Sequence, residues 1–512
     1  MLVRTFGSAV FGIGATKITI EVNIDKGAGY HLVGLPDNAV KEGYQRIEAA
    51  LENNGFKMIR KKIVVNMAPA DIRKEGSSYD LPIAIGVLAA SNQISSNLIE
   101  KYIIMGELSL DGTLHPIKGA LPIAIQALKE NFEGVILPLD NANEAAIVND
   151  IKVYGCKNIE EVSQVLNGTS KLSPIEYDTR AVFYNNLHND KFDFSDVKGQ
   201  ENAKRAMEIA AAGGHNIILV GPPGSGKTML SKRLSTILPP LTLEESLETT
   251  KIHSVAGLLP GGHSLMTARP FRAPHHTVSN AALAGGGSFP KPGEISLAQN
   301  GILFLDELPE FNRAVLEVLR QPLEDRKVTI SRARFTVDYP ASFMLVASMN
   351  PCPCGFFTIP EKQCEYTASC ARKYMGKVSG PLLDRIDIHL EVQPVDINEL
   401  GNEYREESSA NIRKRVIEAS RLQSIRFKEY DGIHCNAQME SKLIRKFCKL
   451  SKSSKQLIAA AMERLGLSAR AYDRIIKVSR TIADLAGAKE IEDDHIAEAI
   501  QYRSLDREGW LN

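Results

Sequence analysis

The chain has 512 residues, 44% hydrophobic and 24% charged, with 61 basic against 61 acidic side chains. That is the balance of a globular protein of roughly three domains, and zero net charge gives no overall support for binding nucleic acid, so such a reading needs local evidence. The longest apolar run, Leu81–Ala90, is half a membrane span, Arg4, Ser8, Lys17 and Glu21 interrupt any leader-like start, and seven cysteines are an odd number for a disulfide framework, so a cytoplasmic protein with no membrane partner is expected.

In chain order, Ile18–Ile24 alternates like a half-buried strand, and Ala39–Asn53 carries helical spacing. Lys62–Met67 reads as a strand, Leu81–Ala90 as a buried helix and Gly134–Pro138 as a short buried strand. Residues 1–170 are therefore expected to form an α/β or α+β domain. The polar stretch Asn167–Asp190 reads as a linker, placed at 171–193. From Phe194 to Val395 apolar strands alternate with helices, as in a parallel sheet, giving an α/β domain over 194–395. Strands then disappear. Arg405–Lys428, Ala437–Lys449, Ser454–Arg464, Ala469–Leu485 and Glu492–Gln501 read as helices, a helical domain over 396–512.

The strongest local signal lies in the middle domain. An apolar strand from Asn216 runs into Gly221-Pro222-Pro223-Gly224-Ser225-Gly226-Lys227-Thr228, followed by a helix-forming run from Met229. That is G-x-x-x-x-G-K-T between strand and helix, the setting a phosphate loop requires. Glycines let backbone N–H groups point at phosphate oxygens, and the helix start adds its positive dipole end. Lys227 is expected on the β- and γ-phosphates of ATP, and the Thr228 hydroxyl on Mg²⁺.

Gly301–Glu307 is a buried strand ending in two acids; Asp306 is assigned to the metal and Glu307 to the attacking water. Ser342–Asn350 ends in a lone Asn350 that can order the same water. Arg385 precedes another buried strand, with a salt bridge to Asp384 or Asp387 as its plainer reading. Arg470 and Arg474 stand one helical turn apart near the start of a tail helix, and spacing does not choose between them.

Two segments could grip a polymer. Arg326–Asp338 alternates around a basic tip at Arg332 and Arg334, a β-hairpin pattern, and Leu283–Gly293 is a glycine-rich loop tipped by Phe289 and Lys291. Arginines track phosphates and an aromatic ring stacks on bases; the plainer reading is solvated hairpin charge. Cys352, Cys354, Cys364 and Cys370 cluster in an insertion over 350–372, where four thiolates could hold a structural Zn²⁺, with buried reduced thiols as the alternative.

Phosphate loop, Asp-Glu strand, Asn strand, late arginine and helical lid resemble the AAA+ ATPases. Phe271–Thr277, Gly293–Gly301, Asn350–Gly355 and Ser379–Asp387 are similar, more narrowly, to the magnesium-chelatase-like group and its ComM/YifB family. The resemblance implies that Asn350 is a first sensor, Arg385 an arginine finger and Arg470 a second sensor, in a ring that is usually a homo-hexamer. It further implies a DNA translocase or branch-migration helicase acting on single-stranded or branched DNA with recombination proteins during natural transformation. A chelatase motor driving metal insertion and a protein-remodelling ATPase are the alternatives. Ala68–Pro82 and Gly106–Gly119 resemble the Lon-protease fold, with Ser78 near the nucleophile position. Leu121 stands where the lysine base is expected and Lys118 is out of register, so this domain is expected to be a scaffold without proteolysis. Relatives usually carry C-x-C twice; here Tyr366 takes the fourth place, with Cys370 one turn later.

Overall fold

A computed structural model describes residues 1–185, 192–259, 264–287, 290–332, 335–355, 368–394 and 406–503. The chain forms two compact units, Met1–Asn186 with Thr242–Thr267, and Leu187–Leu241 with Ala268–Asn512.

In the first unit β1 (Leu2–Phe11) and β2 (Gly14–Asp25) form a long antiparallel hairpin, Leu2 opposite Asn23 and Phe11 opposite Gly14. With β3 (Gly29–Val33), β4 (Lys62–Ala68), β5 (Tyr102–Ile104), β8 (Gly134–Pro138) and β9 (Lys152–Cys156) they make a seven-stranded mixed sheet in the order β3-β4-β2-β1-β5-β8-β9. Two short strands, β6 (Glu107–Leu108) and β7 (Leu114–His115), pair separately. Ile18, Ile20, Val22 and Ile24 point inward from β2, as its alternation predicts. Every residue of the helix Asp80–Ala90 is buried. It lies so close to the sheet that a Cβ on Gly86 would meet Val22 Cγ2 at 2.5 Å.

The expected linker is partly structured. Ile175 N donates to Val153 O at 2.8 Å, Thr179 Oγ1 donates to Ile147 O at 3.0 Å, and the helix Thr179–Asn185 buries Phe183. The helix Leu243–Ala256, capped by a reciprocal Thr242–Glu245 pair, also belongs to this unit and packs on the helix Ala120–Lys129.

The second unit is built on a five-stranded parallel sheet in the order β11-β14-β17-β10-β18. Its members are β10 (Ile217–Val220), β11 (Phe271–Arg272), β14 (Ile302–Leu305), β17 (Met344–Met349) and β18 (Ile388–Glu391). Two ribbons stand apart from it: β12 (Gly285–Gly286) with β13 (Lys291–Pro292), and the hairpin of β15 (Lys327–Arg332) with β16 (Phe335–Pro340). The helices Ser409–Phe427, Ser441–Phe447, Lys452–Leu465, Ala469–Leu485 and Asp493–Gln501 follow. Ile412, Val416, Ile475 and Ile482 share one apolar core with Ile217 and Leu219 of the sheet. Glu208 bridges Arg205 and Arg415, fixing this helical tail to the helix Glu201–Gly213. The parallel strands give the sheet two unlike edges. Gly221, Asp306 and Asn350 follow the C-terminal ends, whereas Asn216, Gly301, Phe343 and Asp387 precede the N-terminal ends.

Candidate nucleotide site

At the C-terminal edge, the fully buried β10 passes through Gly221–Gly226 into the helix Lys227–Ile237. Gly221 cannot carry a side chain, because a Cβ would lie 2.2 Å from Val392 O. Gly226 caps the helix at φ +86°, a left-handed turn open to glycine. The loop therefore presents bare backbone in front of a helix N-terminus, which suits a phosphate.

Lys227 Nζ donates to Gly221 O at 2.7 Å, Pro222 O at 2.8 Å and Asn350 Oδ1 at 3.2 Å. Burial pushes its ammonium below the usual lysine range, while Asp306 and Glu307 pull the other way. Thr228 Oγ1 donates to Asp306 Oδ2 at 3.0 Å, and Ser348 Oγ donates to Asp306 Oδ1. A hydroxyl and a carboxylate meeting this closely can share a hard divalent cation such as Mg²⁺. Glu307 takes φ +53° and leaves its side chain 57% exposed, with His276 Nδ1 3.7 Å from Oε2. His276 stacks on His275 and meets the edge of Phe311. Lys227, Thr228, Asp306, Glu307 and Asn350 thus come together from three strands. His276 and Ser348 join them unannounced; the only sequence sign of His276 was the Phe271–Thr277 stretch.

Arg385 lies at the opposite edge and is only 5% exposed. It pairs with Glu324 at 2.6 Å and donates to Pro381 O at 2.5 Å, so its partner is neither Asp384 nor Asp387. Asp387 instead accepts from Arg474 Nη1 at 2.7 Å and from Asn216 N at 2.9 Å. Burial alone would raise its carboxyl; Arg474 and His215 hold it far below the ordinary range. Arg474 is committed to that pair, whereas Arg470, one turn earlier, is exposed and makes no hydrogen bond or ion pair among the described residues.

The two ribbons are joined. Tyr339 of β16 is fully buried and donates its hydroxyl to Pro290 O at 2.6 Å, and Ile330 of β15 lies against Gly285. Lys291 and Arg332 are exposed on these two packed elements, Arg332 beside Gly286. Phe289 and Arg334 lie outside the described residues. Cys352 Sγ and Cys354 Sγ are 3.3 Å apart, Cys364 lies outside the described residues, and the backbone of Cys370 is in the helix Ala368–Met375. No group of three or more metal-ligating side chains occurs among the described residues, so a zinc site gains no support. No helix there is long and apolar enough to cross a membrane.

In the first unit Leu121 is fully buried, and its N–H donates to Glu144 Oε1 at 2.8 Å. The stem of Lys118 lies against Gly257.

A parallel sheet, a phosphate loop at its C-terminal edge and a helical tail define a P-loop module of the AAA+ type. Comparison with known proteins agrees: residues 193–400 match magnesium chelatase, subunit ChlI, residues 20–141 match the subunit ChlI of Mg-chelatase, and residues 406–503 match the ChlI C-terminal family. The chain is 44% identical over 508 residues to the competence protein ComM of Haemophilus influenzae, covering 99% of this chain and 98% of that one. It is 42% identical over 504 residues to YifB of Escherichia coli, covering 98% and 96%. It is also 29% identical over 157 residues to Lon protease 2 of Bacillus subtilis, 28% of this chain and 27% of that one. The chain belongs to the ComM/YifB family of magnesium-chelatase-like AAA+ ATPases.

Proposed function

We propose that this protein is a ring-forming motor, a homo-hexameric DNA translocase that spends ATP to migrate branched DNA during recombination in natural transformation. The observation that carries the polymer-handling half is the pair of packed ribbons bearing Arg332 and Lys291 on the ATPase unit. The full-length relative of Haemophilus influenzae, a competence protein, supplies the biological setting.

Each residue then has a task. Backbone N–H groups of Gly221–Thr228 cradle the phosphates, and Lys227 leaves the carbonyls of Gly221 and Pro222 to meet them. Thr228 and Asp306 would hold Mg²⁺, which would supply neutralisation of charge on the terminal phosphates. Glu307 orients water and takes up its proton, steadied by His276, and Asn350 holds the water in line. Arg385 and Arg470 act on a neighbour's nucleotide. What supports this is their place at the N-terminal edge of the sheet: Arg385 precedes β18, and Arg470 is one turn from Arg474, bound at Asp387. Four strand residues span about 13 Å, which separates that edge from the chain's own phosphate loop.

The test is ATP turnover with forked DNA, single strands or no DNA, together with displacement on a three-strand junction. DNA should stimulate hydrolysis, and Lys227→Ala should abolish both hydrolysis and displacement. Ring-competent protein showing neither stimulation nor displacement would overturn the helicase reading.

A further inference from the structure

Arg326 stands at the joint between the helix Arg320–Asp325 and β15, in a left-handed conformation at φ +55° that costs an L-residue energy. Its backbone is tied down, N–H to Pro322 O at 3.0 Å and C=O from Ala341 N at 2.8 Å. Its half-buried guanidinium has no hydrogen bond or ion pair among the described residues, although partial desolvation pushes it below the usual arginine range. A half-buried cation with no direct partner, beside an open polar space, is placed to take an anion.

The guanidinium borders a polar cavity of about 40 Å³ that Arg474, Asn216, Asp387, Ser342 and Gln438 also line. The charges facing it are Arg326, Arg474 and, nearby, Lys477, against Asp387, which Arg474 already holds, and Glu440. An incoming anion therefore meets a net positive wall. The volume has room for about three waters, so it admits the end of a phosphate and not a nucleotide. The central-sheet strands β10, β17 and β18 meet it at their N-terminal ends, so the chain's own phosphate loop lies across the sheet. The missing anion must come from another molecule, and Arg385 lies at the same edge.

We propose that Arg326 is a further trans-acting arginine, whose guanidinium meets the terminal phosphate of the nucleotide held by the adjacent copy. This rests on the ring reading above. Lys327 begins the basic hairpin at the next residue, so that contact sits at the root of the hairpin.

The test is complementation in full-length protein. Arg326→Ala and Arg326→Gln should bind a fluorescent ATP analogue with unchanged affinity, while kcat falls at least about tenfold, since arginine contacts to a transferring phosphoryl group are worth that and more. Lys227→Ala is inactive in its own pocket but keeps an intact Arg326. Random mixing in equal amounts should restore about one quarter of wild-type turnover per protomer, because one interface in four then joins a sound pocket to a sound donor. Arg385→Ala mixed with Lys227→Ala is the reference. If that pair complements and Arg326→Ala with Lys227→Ala does not, the proposal is overturned and the ring reading stands. If neither complements, both fall. Wild-type turnover by Arg326→Gln alone also overturns it.

Discussion

Asp387 and Lys477, buried close to each other in the ATPase unit, both make stability rise with pH, in separate pH windows. Asp387 has a folded-state carboxyl well below its ordinary value, so its contribution is present above the unfolded pKa of about 3.9 and fades as pH falls through the folded one. Lys477 is pushed down to about 8, first by burial and then by Arg474 and Arg326, with Asp387 and Asp473 opposing. Its Nζ still donates to Ala437 O at 3.0 Å. Below pH 8 the folded state must carry a buried ammonium. Between about 8 and the usual lysine value of about 10.4 the unfolded chain binds the extra proton, so this group makes stability rise with pH there. Denaturant midpoints of wild type and Lys477→Met, compared at pH 7, 8, 9 and 10, should show wild type gaining on the variant above pH 8. A pH-independent difference would mean that the ammonium is solvated.

The hairpin shows the same logic one level up. Lys327 pairs with Asp338 at 2.9 Å and Thr329 donates to Asp338 at 2.6 Å, so the root of the hairpin is neutralised while Arg332 near its tip is left exposed. Arg332→Ala should therefore keep hydrolysis without DNA and lose most of its stimulation by DNA, read as the ratio of the two rates; loss of the DNA-free rate would show a structural role instead. The hairpin was legible because alternation and a basic turn lie within one short stretch. The phosphate loop was legible for the same reason, its eight residues being contiguous. β1 was not. Thr5 and Ser8 are buried in it, satisfied by Pro82 O at 3.0 Å and Gln126 Oε1 at 2.7 Å, and inward-facing polar residues erase the period that announces a strand. Glu324 against Arg385 and His276 beside Glu307 were hidden differently: tertiary packing brings each pair together, and no local spacing records it.

At the scale of the whole chain, the passage of Thr242–Thr267 into the first unit has energetic consequences. Ser254 Oγ donates to Glu144 Oε1 at 2.5 Å, and Ser254 O accepts from Gly119 N at 3.2 Å. The Glu144 carboxyl, raised by burial, is restrained by Ser254 and by the N–H of Leu121. Ile252 and Leu265 of the returning segment are buried, as is Leu121. Burying one such side chain is worth about 1.5–3 kcal/mol, and a buried acceptor left short of a donor costs about 1–3 kcal/mol. Those amounts are comparable with the whole stability of a domain, about 5–15 kcal/mol. A polypeptide of residues 1–186 alone should consequently unfold at a clearly lower denaturant concentration than one in which 242–267 is joined after residue 186 through a flexible linker. Ser254→Ala in the joined form should lose about 1–3 kcal/mol of that gain. Equal midpoints for the short and joined forms would show that the returning helix merely rests on the first unit, whereas the predicted gap makes residues 242–267 a structural part of it, supplied from within the ATPase sequence.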